Sequence, residues 1–144
     1  MDYYNFFCNN GVDFQGRTLD FILNKDNFWW DSNHDHIQVV FPVLEPGMIM
    51  DVSPITMKEI DKIKSVPNRF EEGYFRFLSF LGLRKDFTHW DKGQEKHYTD
   101  FNHNYLRFSR VIRSLRLFGY DTHAEEFYNF IMDNCKVFTN SVVY

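Results

Sequence analysis

Apolar positions along the chain recur mostly three and four residues apart, the spacing of helices that bury one face. After Gly16, in RTLDFILN, Leu19, Ile22 and Leu23 stand at i, i+3 and i+4 and predict a buried helix face. FWWDS then gathers Phe28, Trp29 and Trp30, which reads as a hydrophobic plug before the next helix. In HDHIQVVFP, residues 34–42, Ile37, Val40 and Phe41 share a face. Ser32 is placed to cap that helix, with Asp35 three residues on, and Pro42 stops it. Residues 43–54, VLEPGMIMDVSP, form a loop with a turn at Pro46-Gly47.

The second half continues the pattern. Thr56 and Glu59 make a T-x-x-E capping box, with Ile55 and Ile60 at the staple positions, so TMKEIDKIK predicts a helix to about Ser65. Phe70, Tyr74, Phe77, Leu78 and Leu81 predict a longer helix over roughly 68–81, closed by Gly82. Residues 84–101, RKDFTHWDKGQEKHYTDF, are polar and irregular and read as a loop with at most one helical turn. A loop of that length in a compact domain is often functional or mobile. A helix over about 103–118 then places Leu106, Val111, Ile112 and Leu115 on the core side and ends at Gly119. The last helix opens on a second box, Thr122 with Glu125, and carries Phe127, Phe130 and Ile131; the tail VFTNSVVY reads as extended. No repeat, low-complexity tract or linker interrupts this order. The expectation is an all-α fold, a single compact domain over 1–144 with about five helices and long connecting loops.

Composition changes the picture in one respect. The 144 residues include 17 Phe, 8 Tyr and 3 Trp, so 19% of the chain is aromatic. Burying a Phe contributes about 1.5–3 kcal/mol by transfer, and most Phe sit at helical spacing, so aromatic packing should dominate the core. Part of the surplus is open to a second role as an exposed contact patch. The net charge of -4 and pI of about 5.8 speak against a generally basic nucleic-acid binder, although a local stripe can suffice. No apolar run approaches the roughly 20 residues of a membrane span, and MDYYNFFCNN lacks the layout of a signal peptide. Cys8 and Cys135 form no CxxC pair and read as two reduced thiols, with a terminus-to-terminus disulfide as the alternative. Together these predict a soluble intracellular, cytoplasmic protein. The Asn-rich, Ala-poor usage suggests an AT-rich genome, microbial or viral.

The histidines of HDHIQVVFP pose the chemical question. On a helix, His34 and His36 point about 200° apart and cannot share a metal; on a strand they would share a face. Two stretches bear on the choice. The first is HDHIQVVFP followed by DVSPIT; the second is HNYLRFSRVIRSLRLFG. Together they resemble the conserved region of the opioid growth factor receptor family, with its H-x-x-IQ-x-x-FP and HN-x-LR-x-x-R-x-x-x-SL blocks. His34, Ile37, Gln38, Phe41 and Pro42 match the first block; Pro54 and Thr56 match the helix start that follows. His103, Asn104, Leu106, Arg107, Arg110, Ser114, Leu115 and Gly119 match the second, and FLSFLG at 77–82 fits an aromatic-glycine helix end. The resemblance covers roughly 15–135. His36 and Val39 depart from it, standing where the family often has an aromatic and a tryptophan. It implies a helical domain and carries the description of a receptor-like protein that binds an opioid peptide and is associated with the nucleus in animals.

Keeping His34 and not His36 fits a helix with one important histidine. The plain reading of His34 is a first-turn residue bonded to a carbonyl or carboxylate. The sharper ones are a polar site shared with Gln38 and a metal site completed by His97 or His103. Arg107, Arg110, Arg113 and Arg116 form either a solvated, salt-bridged face or an anion site, since guanidinium forks grip carboxylate and phosphate. The best candidate is a polar binding groove of His34, Gln38, His103, Asn104, Arg107 and Arg110. No P-loop, nucleophile elbow, HExxH or dinucleotide fingerprint is present, and no cofactor is implied. The expected function is non-catalytic binding of a peptide or protein partner. The alternatives are nucleic-acid or nucleotide binding through the arginine stripe, and a small metal-assisted hydrolase.

Overall fold

A computed structural model describes residues 1–99 and 104–135. Among these residues there are nine α-helices, one 3-10 turn and no strand, so the fold is all-α. Two isolated antiparallel bridges, Val12 with Thr18 and Leu83 with His89, close loops. The chain gathers into two compact units, residues 1–73 and those from 74 onward.

The first unit opens with a helix that the sequence reading passed over, α1 (Tyr3–Cys8). Asp2 caps it by accepting from the Asn5 N–H at 3.0 Å. Tyr3, Phe6 and Phe7 are buried, and α1 packs against a later helix, α5 (Met57–Lys64). Between them lie α2 (Leu19–Leu23), capped by Thr18, then α3 (Asn27–Ser32) and α4 (Asp35–Val40). The expected plug is only half right. Trp30 is fully buried and gives its indole N–H to the Ile22 carbonyl at 3.0 Å, whereas Phe28 is 81% exposed. Two residues apart on one helix, they face opposite ways. The box at Thr56 and Glu59 is formed as expected, with its two bonds to backbone N–H groups at 3.2 Å, and Ile55 and Ile60 are buried.

HDHIQVVFP is helical, but its cap differs from expectation. Ser32 belongs to α3 and its hydroxyl donates to the Phe28 carbonyl, so it cannot cap α4. His34 takes that place, and no side chain caps this end. Asp35 accepts from Arg17 Nη1 at 3.0 Å and from Gln15 Nε2 at 2.7 Å. The same guanidinium grips Asp13 through Nε and Nη2, both at 2.8 Å, and Asp13 also accepts from the N–H groups of Gln15 and Arg17. The Asp13 side chain is wholly buried. This pair is hydrogen-bonded on nearly every side, which is the condition for a buried charge to be tolerated.

The next helix, α6 (Phe70–Phe80), starts in the first unit, where the Phe70 ring meets Phe7 at 5.7 Å and Phe41 at 6.3 Å. Its later residues belong to the second unit, with α7 (Lys96–Thr99), α8 (Asn104–Leu117) and α9 (Asp121–Asn134). Phe77 of α6, Phe108 of α8 and Phe127 of α9 form an edge-to-face triangle with centroids 5.8–6.2 Å apart. Val111, Ile112 and Leu115 are buried as expected. Leu106 is not: it is 58% exposed, because it lies two residues from Phe108 and so on the far side of the helix. The box at Thr122 and Glu125 is also absent. Tyr120 stands at the cap position and Thr122 is already inside α9. The tail at 137–144 lies outside the described residues. Cys8 and Cys135 are free thiols.

Candidate binding groove beside Trp90

The site begins where α6 ends. The last turn of any helix leaves carbonyls without intrahelical partners. Gly82, at φ +79°, folds the chain back so that its N–H reaches the Ser79 carbonyl at 2.9 Å and the Leu83 N–H reaches Leu78 at 2.9 Å. The Ser79 carbonyl accepts a second bond, from the Trp90 indole N–H at 3.1 Å. The Trp90 backbone N–H donates to the Gly82 carbonyl at 2.9 Å. Between these anchors the chain makes a tight loop: Leu83 bridges His89, and the Arg84 N–H donates to the Thr88 carbonyl at 2.8 Å. Phe87 turns the corner at φ +67°, its ring 5.1 Å from Phe130.

The result is a hollow of about 470 Å³ lined by Phe75, Ser79, Leu83, Arg84, Lys85 and Trp90. Its apolar surface comes from Phe75, buried Leu83 and Trp90, which is 46% exposed yet tied down through its indole N–H and its backbone N–H. Its cations are Arg84 and Lys85. The Lys85 ammonium lies 4.2 Å from the centroid of Phe75, and Arg84 Nη1 donates to the His89 carbonyl at 2.7 Å. Asp86 follows directly, but its carboxylate is occupied by the Thr88 N–H and hydroxyl, which hold it below its usual pKa. An open aromatic face flanked by cations is a surface suited to recognition.

The residues singled out from the sequence fall as follows. In the first unit, His34 is exposed at the head of α4 and Gln38, one turn on, is buried. His36 is fully buried, its ring 4.7 Å from both Trp29 and Trp30. In the second unit, Asn104 and Arg107 are buried at the start of α8, and Arg110 is half-buried. His103 lies outside the described residues. Asn104 and Arg107 converge on His97 and Phe80. The Asn104 amide donates to His97 Nδ1 at 3.1 Å, and His97 Nε2–H donates to Gln94 Oε1 at 2.8 Å. The His97 ring stacks on Phe80 at 4.3 Å, and the Arg107 guanidinium lies 5.8 Å from the same ring. An amide donor on Nδ1 fixes His97 as the neutral Nε2–H tautomer. Nearby, burial pushes the Tyr98 hydroxyl up to about 12, with Glu95 adding to the shift. Among the described residues no three His, Cys, Asp or Glu side chains gather as metal ligands. No helix among them is long and apolar enough to cross a membrane.

The sequence reading did not place Phe75, Arg84, Lys85 or Trp90 in a site. The one signal was the length of the polar stretch that carries three of them. A family model matches residues 5–142, that of the opioid growth factor receptor (OGFr) conserved region. The chain is 30% identical over 147 residues to opioid growth factor receptor-like protein 1 of Mus musculus, covering 91% of this chain and 32% of that protein. It is 29% identical over 151 residues to the opioid growth factor receptor of Rattus norvegicus, covering 91% and 25%. It is 32% identical over 130 residues to the receptor-like protein 1 of Xenopus tropicalis, covering 80% and 25%. The chain thus spans about a third or less of the length of these relatives. No solved structure matches it.

Proposed function

The chain belongs to the opioid growth factor receptor conserved-region family, and from that premise we propose that it is a non-catalytic binding module for a peptide or protein partner. The observation that carries this reading is the groove beside Trp90. Trp and Arg are the side chains that most often dominate binding energy, and a ring already held in place loses little freedom when a partner covers it. Trp90 meets both conditions: its N–H groups are tied to Ser79 and Gly82 while its face stays open. The relatives are named as receptors, which agrees with binding in place of catalysis.

The test is a display selection of random linear peptides against the purified protein, with an opioid peptide added as a separate probe. Enriched peptides should bind the protein and lose most of their affinity to Trp90→Ala, whose circular dichroism should stay helical and whose stability should fall only by the lost bond to Ser79, about 1 kcal/mol. Failure to enrich any peptide would remove the reading. Retention lost on Arg107→Ala instead, with folding intact, would move the site to α8.

A further inference from the structure

We infer that the groove's partner is an acidic peptide segment carrying a bulky apolar side chain beside an aspartate or glutamate, a proposal that rests on the binding reading above. Two exposed cations beside an apolar lining, on a chain of net charge -4, call for a ligand of complementary charge. The chain holds 20 Asp and Glu against 16 Lys and Arg, so it carries net negative charge. Arg17 is paired twice and Arg69 reaches both Asp20 and Glu72. Arg84 and Lys85 are neighbours on one rim of the hollow, and among the described residues neither stands in an ion pair. The one acidic side chain beside them in sequence, Asp86, is turned to Thr88. Asp86 feels the Arg84 charge, yet both cations stay exposed to solvent among the residues that line the hollow with Phe75 and Trp90.

That floor selects the other half of the ligand. Phe75, Leu83 and the open face of Trp90 present a surface for one large apolar side chain. A carboxylate on the adjacent ligand residue then meets Arg84, whose planar fork suits carboxylate oxygens, and Lys85, held over Phe75. Nucleic acid fits less well. Two cations neutralise few phosphates, and phosphate-driven affinity grows with the number neutralised. The net charge of -4 opposes it further.

The experiment extends the peptide selection. Peptides enriched on the wild-type protein are sequenced, and their affinities are measured by fluorescence anisotropy against the wild type, Lys85→Glu, and Arg84→Glu with Lys85→Glu. The proposal expects enriched peptides with Asp or Glu next to Phe, Trp, Leu or Met. It expects about tenfold weaker binding per reversed charge and weakening with added salt. Both side chains are exposed, so Lys85→Glu should melt like the wild type and the double variant should lose only the Arg84 bond to the His89 carbonyl. If enriched peptides depend on Trp90 yet show no acidic bias and bind the charge-reversed protein equally, the binding reading stands and this inference is wrong. If no peptide is enriched, both fail. Two parallel measurements decide against it in favour of other occupants. One is salt-steep binding of a labelled single-stranded oligonucleotide, lost in the charge-reversed protein. The other is self-association in sedimentation, abolished by Trp90→Ala.

Discussion

Replacing Gly82 by alanine should unseat Trp90, and its cost can be worked from the geometry. A Cβ at this position would stand 2.1 Å from the Asp91 carbonyl oxygen and 3.0 Å from Gln94 Cβ. The obstacle is backbone, so the loop itself must retreat. The φ of +79° adds about 1–2 kcal/mol for any residue with a Cβ. Retreat also breaks the bond from the Trp90 N–H to the Gly82 carbonyl, at about 1 kcal/mol. With the steric term the sum is about 3–4 kcal/mol, a melting-point drop of about 10 °C for a chain of this size. Gly16 supplies the control. It has nearly the same φ, +78°, but a Cβ there meets nothing within 4 Å. Gly16→Ala should therefore cost the backbone term alone, about 1–2 kcal/mol. Both variants are melted by circular dichroism, and peptide affinity is measured at 20 °C below the midpoint. Equal midpoints for the two variants would refute the reasoning, because the packing of Asp91 over Gly82 would then carry no weight.

Other predictions follow from the buried polar groups. Asp13→Ala strands the Arg17 guanidinium beside Phe14 and Trp29 and should cost about 3 kcal/mol in denaturant unfolding; a loss under about 1 kcal/mol would mean that Asp35 alone holds the cation. Nitrogen-15 NMR of His97 should show the neutral Nε2–H tautomer, and a proton on Nδ1 would contradict the bond from Asn104. In an alkaline spectrophotometric titration, Tyr98 and Tyr74 should ionise later than exposed tyrosines, since burial raises both. Their folded values lie above the ordinary value of 10, so the stabilising difference is intact below that pH and is lost as pH rises past it. Tyr98→Phe should lessen this alkaline loss; an unchanged pH profile would refute the assignment.

How much of this was written in the sequence depends on the range of the interaction that decides each feature. The box at Thr56 and Glu59 and the helix end at Gly82 are settled within six residues, and both form as their local chemistry demands. The cap of α4 is not local. Ser32 is a good capping residue, but α3 runs through it, and Asp35 is claimed by Arg17 from far upstream. Leu106 looks like core by type and fails by angle, since Phe108 and Val111 set the buried face of α8. In the candidate groove, Trp90 and Arg84 looked like residues of an irregular polar loop. What makes them a surface is a set of bonds reaching back to Ser79 and Gly82, and nothing in the spacing of residues 84–90 announces those bonds. The polar set of α8 shows the opposite case. Asn104 and Arg107 stood out by resemblance, and the structure adds the histidine and phenylalanine around which they close.

The central claim, that a partner seats on the face of Trp90, is tested most directly by titrating a selected peptide into nitrogen-15-labelled protein. The account predicts that the Trp90 indole N–H and the amides of Leu83, Arg84 and Lys85 shift together, while the indole of Trp30, buried between its neighbours, stays still. Shifts concentrated elsewhere, with the Trp90 signal unmoved at saturation, would contradict it.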